Sequence, residues 1–142
     1  MKTFTPTQLA ETDRKWYVID AKGQTLGRLA TKIAVVLKWK NKVDFVPHLD
    51  NGDNVIVLNA TQFKVTGNKL TDKKYYRHSG FLWGLKEISL EDLLKKKPTK
   101  ALEFAVSGML PKNKLRASMI SRFRLFEGQE HTFPAQKPEL IK

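Results

Sequence analysis

Hydrophobic positions along the first half of the chain fall into short β-type runs and one long helical stripe. Trp16-Tyr17-Val18-Ile19-Asp20 is rich in aromatic and β-branched residues and predicts a strand. Ala21-Lys22-Gly23-Gln24 turns the chain, and Thr25 stands where a helix cap belongs. Leu26, Leu29, Ala30, Ile33 and Leu37 then recur at helical spacing and form one apolar stripe. Arg28, Lys32 and Trp39 project to the opposite side of that helix. Asp50-Asn51-Gly52-Asp53 reads as a turn, and Val55-Ile56-Val57-Leu58-Asn59 as a strand covered on both faces. Strand, helix and internal strand make a βαβ unit, which sets its strands parallel through a right-handed crossover.

The second half is less regular. Phe63-Lys64-Val65-Thr66 predicts a shorter strand ending at Gly67, and Asn68 to Lys86 reads as a basic, aromatic-rich loop or ribbon. Ser89 and Asp92 have the spacing of a capping box and open a helix that Pro98 interrupts. Ala101, Leu102, Ala105, Val106 and Met109 form a second stripe, which Gly108 and Pro111 bring to an end. A third helix is expected from Leu115 to Phe126, with Leu115, Met119, Phe123 and Phe126 buried. The pattern predicts one α/β domain over residues 1–142, with an extended lead-in at 1–15 and an irregular tail at 127–142.

Charge sharpens this picture. The 142 residues carry a formal net charge of +12, a self-repulsion that an anionic partner would relieve. The excess is not spread evenly, since residues 61–124 hold fifteen basic and five acidic side chains. A dispersed basic surface on a folded domain fits a polyanion with spaced charges, of which nucleic acid is the commonest. The longest apolar run, Ile33–Leu37, is far too short for a membrane span or the core of a signal peptide. The chain has no cysteine, which removes disulfides, thiolate metal ligands and cysteine nucleophiles. A cytosolic protein with no membrane partner is the expectation.

Catalytic signatures are absent from the sequence. Gly23 and Gly27 flank the first strand–helix turn, but G-x-G-x-x-G is not formed. Gly23 is read as a turn residue, and Gly27 as a residue allowing close packing of the helix start. His48, His78 and His131 are scattered and lack the spacing that places two metal ligands on one helical face. No serine sits in a G-x-S-x-G elbow. No cofactor, metal or small-molecule substrate is expected, and the chain reads as a non-enzyme.

Three segments carry the chemistry of nucleic-acid contact. Lys38, Trp39, Lys40 and Lys42 place a flat ring among cations at the end of the first helix, where it could stack on an unpaired base or tuck under the following loop. Lys69 and the run Lys73, Lys74, Tyr75, Tyr76, Arg77, His78 and Ser79 combine cations for phosphates with aromatics for bases. Lys112, Asn113, Lys114 and Arg116 form a tight basic connector into the third helix, and Arg122 and Arg124 extend its positive charge.

The motifs Asp20-Ala21, Leu26-Gly27-Arg28-Leu29-Ala30, Asn59-Ala60 and Thr66-Gly67-Asn68-Lys69 occur in that order. Tyr76-x-His78-Ser79-Gly80 and Val106-x-Gly108-Met109-Leu110-Pro111-x-Asn113-x-Leu115 follow. Together, from about Trp16 to Pro138, they resemble the bacterial form of the large-subunit ribosomal protein thirteen family. The resemblance implies a three-layer α/β/α fold around a small, mostly parallel sheet, with basic loops and C-terminal helices. It further implies a structural role in the large ribosomal subunit, binding to large-subunit ribosomal RNA beside neighbouring ribosomal proteins, and support of early subunit assembly. Carried over by motif, the RNA contacts are Tyr76–Gly80 and Lys112–Arg116. Phe81-Leu82-Trp83-Gly84 departs from the family's usual Pro-Gly-Gly turn, and His131-Thr132-Phe133-Pro134 lacks its His-Pro-His pattern. The rival readings are a nucleotide-binding α/β enzyme, which needs a phosphate cradle at Gly23–Gly27, and a nucleic-acid chaperone outside the ribosome.

Overall fold

The computed structural model describes residues 7, 14–43 and 45–141; most of the expected N-terminal lead-in therefore lies outside the described residues. Strand β1 (Trp16–Asp20), helix α1 (Leu26–Leu37) and strand β2 (Asn54–Leu58) form the anticipated βαβ unit. The chain continues through α2 (Lys69–Asp72), an antiparallel hairpin of β3 (Lys74–His78) and β4 (Leu85–Ser89), and helices α3 (Leu90–Lys96), α4 (Lys100–Met109) and α5 (Leu115–Ser121). It ends with β5 (Phe123–Leu125), a single 3-10 turn (Pro134–Gln136) and β6 (Glu139–Leu140). The main sheet has the order β5-β2-β1-β6 with every neighbour parallel.

Side-chain alternation explains the layers. Ile19, Val55, Val57 and Phe123 point to one face and join Leu29, Ile33 and Leu37 of α1, Leu90 and Leu93 of α3, Leu102 and Val106 of α4, and Met119 of α5 in one core. Val18 and Ile56 are buried on the other face, where Trp16 and Phe126 each contact Phe133. The three-layer α/β/α arrangement is present, with a thin third layer made by the 3-10 turn and the tail around it. Val55, Ile56 and Val57 are wholly buried, as their unbroken apolar run requires of a strand covered on both sides.

Several local expectations are corrected. Thr25 holds the N-cap position of α1, but its side chain makes no capping bond. Ser89 does cap α3, accepting from the Asp92 amide at 3.2 Å. Phe63–Thr66 forms only a parallel bridge between Thr25 and Lys64. Gly108 lies inside α4, which ends one residue later. The expected helix from Leu115 to Phe126 stops at Ser121, because Phe123–Leu125 gains a parallel ladder with Val55–Val57. The tail is likewise not wholly irregular, since Glu139 and Leu140 pair with Tyr17 and Val18.

The Asp50–Asp53 segment is the largest departure from a simple exposed turn, for all four of its residues are buried. Arg122 clasps the Asp50 carboxylate with both terminal nitrogens, Nη1 donating at 2.6 Å. Asp53 is fully buried; Lys42 Nζ lies 2.7 Å from it, and the Lys15 amide donates to it at 3.1 Å. These bonds satisfy charges that would be costly to bury alone. Gly52 lets the segment pass over the end of α1: a Cβ there would lie 1.8 Å from the Leu37 carbonyl oxygen. Gly52→Ala is therefore expected to destabilise the domain by about 2 kcal/mol or more through enforced overpacking. Urea unfolding of the two proteins measures this, and an unchanged midpoint would show that the loop can move aside.

Candidate nucleic-acid interface

Seven cations gather around the outer side of α4. One groove, of about 400 Å³, is lined by Lys64, Lys69 and Lys73 at its rim and by Phe104, Gly108 and Met109 of α4. A second groove joins Met109 to Lys38 and Lys40 just beyond α1. A third joins Phe104 to Arg77 and Lys86 of the hairpin. Phe104 and Met109 are thus shared floor residues, and the three groups of cations form one band along α4. Its apolar floor is partly exposed at both residues. No carboxylate lies within 4.0 Å of Lys38, Lys40, Lys64, Lys69, Lys73, Arg77 or Lys86 among the described residues.

The hairpin gains its position from Tyr75. Tyr75 is half-buried, 5.5 Å from the Phe104 ring, with Lys73 Nζ 5.4 Å from its own centroid. Burial raises the pKa of its hydroxyl, so the ring serves as a neutral anchor at physiological pH. Tyr76, Arg77, His78 and Ser79 are exposed. Lys74 is also exposed but pairs with Glu87 at 3.2 Å, a contact worth little in solvent. Arg77 faces Lys86 directly across the ladder, a like-charge pair that opposes pairing. At the tip the Gly80 amide donates to His78 Nδ1 at 2.9 Å, and the Ser79 amide to the Gly84 carbonyl at 3.2 Å. Phe81, Leu82 and Trp83 project from this tip, Trp83 being 99% exposed with φ +61°.

The connector after α4 keeps Lys112, Asn113 and Lys114 exposed. Arg116 is partly withdrawn, because its Nε donates to the Pro111 carbonyl at 3.1 Å and closes the connector upon itself. Arg116 seats α5 as well as adding charge. Arg124 is exposed and has no carboxylate partner among the described residues.

Three expected contact residues are corrected: Trp39, Lys42 and Arg122 are drawn into the structure rather than left fully exposed. Trp39 is buried, only 4% exposed, and cannot offer its ring face to a base in this conformation. It adopts φ +66°, while its amide donates to the Val36 carbonyl and that of Lys40 to the Val35 carbonyl. The helix ends there on a left-handed residue, so the helical projection that placed Trp39 on the outer face no longer applies. Lys42 lies 5.3 Å over the Trp39 ring while binding Asp53, and so belongs to the same structural cluster. Arg122 is also buried, at 6% exposure, with its terminal nitrogens committed to Asp50.

Lys64 and Lys86 were absent from the expected contact set. The alternation of Phe63 and Lys64 is the signal for the first, and a hairpin register opposing Arg77 the signal for the second. Gly27 is corrected as well: a Cβ there would meet nothing within 4 Å, so it lines the groove rather than packing closely. Gly23, at φ +74°, does turn the chain. At the far end of the strands Asn59 donates to Asp20 Oδ1 at 2.9 Å. That bond, followed by the Lys22 amide, holds the Asp20 carboxyl below the usual range, and accounts structurally for the paired Asp20-Ala21 and Asn59-Ala60 motifs.

This geometry defines a class: a small basic α/β domain with a parallel core sheet and a cationic band over one helix. The sequence matches the family model described as "Ribosomal protein L13" over residues 14–132. It is 56% identical over 133 residues to the large ribosomal subunit protein uL13 of Clostridioides difficile, covering 93% of this chain and 92% of that one. The corresponding protein of Desulfovibrio desulfuricans is 52% identical over 139 residues, with 98% and 96% covered. That of Agathobacter rectalis is 50% identical over 142 residues, with 100% and 99% covered. The chain belongs to the ribosomal protein L13 family, a family of structural, non-enzymatic proteins.

The burial of Trp39 yields a direct optical check. In a variant carrying Trp16→Phe and Trp83→Phe, the remaining Trp39 emission should resist acrylamide quenching. In one carrying Trp16→Phe and Trp39→Phe, Trp83 should be quenched almost as freely as an indole in solution. Equal quenching of the two would return Trp39 to the accessible surface.

Proposed function

We propose that this chain is a structural constituent of the large ribosomal subunit that binds large-subunit ribosomal RNA through the band along α4. The observation that carries this reading is the continuity of Lys38, Lys40, Lys64, Lys69, Lys73, Arg77 and Lys86 around the shared residues Phe104 and Met109. Cations spaced over a folded surface suit phosphates held in a fixed tertiary arrangement, and they supply affinity without sequence readout. Tyr76 and the Phe81–Trp83 tip add flat and apolar groups for unpaired nucleotides. Lys112, Asn113 and Lys114 extend the contact beyond the end of α4.

The same reading places the protein with the cytoplasmic ribosome, beside other large-subunit proteins. A core independent of the band supports a role early in assembly, since the domain can present a finished surface to RNA that is still folding. Neutralising phosphates where RNA segments converge would then stabilise one arrangement over its open alternatives.

Joint replacement Arg77→Ala and Lys86→Ala tests the interface. If each side chain meets a phosphate, the logarithmic salt slope of binding to large-subunit ribosomal RNA becomes shallower by about 1.4 to 1.8. The melting temperature should hold or rise, because a like-charge cross-strand pair is removed. Native protein should also remain with the large subunit through a high-salt wash, whereas a free nucleic-acid chaperone would wash off. An unchanged salt slope in a folded variant would take the hairpin out of the interface.

A further inference from the structure

A second group of cations lies away from the band, at the leading ends of the sheet strands. A cavity of about 400 Å³ there is lined by Arg14, Arg122 and Arg124, and no carboxylate lines it among the described residues. Arg14 precedes β1, Arg122 precedes β5, and Arg124 lies within β5 opposite Ile56. Asp50 holds two of the three in place: Arg122 clasps its carboxylate, and Arg14 Nη2 donates to its carbonyl at 3.0 Å. Yet the Nε groups of both Arg14 and Arg122 are buried with no hydrogen-bond partner among the described residues. The Arg122 side chain is 93% buried by its 7% exposure, so its remaining donor cannot simply turn out to solvent.

Unpaired buried donors are costly, and with Arg122 neutralised by Asp50 the guanidinium groups of Arg14 and Arg124 still bring two charges without a carboxylate partner, among the described residues, to one cavity. Water could satisfy the donors but would leave the repulsion. An oxyanion answers both, and guanidinium forks suit the several oxygens of a phosphate. Beside the Trp16 ring, Ser121, Asn54 and Gln136 add neutral polar groups to the lining, which can hydrogen-bond the ribose beside a phosphodiester.

We infer that this cavity is a specific phosphate site that receives one backbone phosphodiester of RNA, separate from the band along α4. The inference rests on the RNA-binding reading above but concerns different residues. Arg122 acts as a fixed structural donor already tied to Asp50, while Arg124 supplies the mobile charge. The site fixes orientation, since a pocket admits one phosphate where the open band meets many.

Two measurements on the full chain decide it. First, the Nε–H resonances of isotopically labelled protein are followed while inorganic phosphate is added, with chloride at matched ionic strength as control. Those of Arg14 and Arg122 should shift saturably with phosphate and not with chloride. Arg124→Gln should weaken that response about tenfold, the loss of one charge-assisted bond, with little change in melting temperature. Second, arginine modification by phenylglyoxal is mapped with and without large-subunit ribosomal RNA. RNA should protect Arg14 and Arg124 as well as Arg77. Absence of a saturable phosphate shift overturns the site. A phosphate shift without RNA protection of Arg14 and Arg124 overturns its assignment to RNA, while protection of Arg77 in the same map leaves the band's role standing. Failure of RNA to bind at all instead removes the reading on which this inference rests.

Discussion

The buried pair of Asp50 and Arg122 joins positions 72 residues apart and organises the leading edge of the sheet. Arg122 stands immediately before β5, and its carbonyl accepts from the Val55 amide at 3.1 Å. The clasp therefore fixes where β5 begins against β2. A slip of one residue would turn Phe123 out of the core and bring Arg124 into it. The same four-residue loop holds the segment after α1 through Lys42 and the start of β1 through the Lys15 amide, both bound to Asp53. Relative to an apolar replacement such a pair can be neutral in stability. Its value here is register, because the beginnings of β1, β2 and β5 are tied to one buried loop.

Charge in this protein consequently divides into two populations. Asp50, Asp53 and Arg122 are paired and buried, and Lys42 is paired and partly buried; together they specify the arrangement of the elements. The band cations, all exposed but the half-buried Lys38, lack carboxylate partners among the described residues, so they add repulsion that the core must carry. Tyr75 connects the two populations. Its ring leans on Phe104 and holds the hairpin against α4, which converts a basic ribbon into one side of a groove. On the proposed RNA-binding reading, that division lets the domain hold its shape while its surface charge remains available to the RNA.

Much of this organisation was legible in the sequence. The βαβ unit follows from the contrast between two β-rich runs and one helical stripe, and the wholly buried β2 from its unbroken apolar run. The misplacements share one cause. Trp39 and Arg122 were positioned by extending a helical projection past the point where each helix ends, at Leu37 and Ser121. Beyond those points the backbone direction depends on long-range partners: Asp53 and Lys42 for the first, Asp50 and Val55 for the second. Phe123–Leu125 could fit a helical stripe or a short strand, and only the presence of β2 decides between them. The motifs marked the family, but not the band, because Phe104 and Met109 look like core residues until α4 is seen with its outer side exposed.

The central claim is that the Asp50–Arg122 clasp couples the β2 and β5 ends of the sheet, and a double-mutant cycle tests it most directly. Asp50→Asn, Arg122→Met and the double variant are compared by equilibrium urea unfolding. Each single change should cost about 3–5 kcal/mol by leaving its partner buried without a counter-charge. The double variant should recover part of that loss, giving a coupling energy of about 2–3 kcal/mol. Additive losses, with coupling below about 0.5 kcal/mol, would contradict the account and reduce the clasp to one polar contact among many.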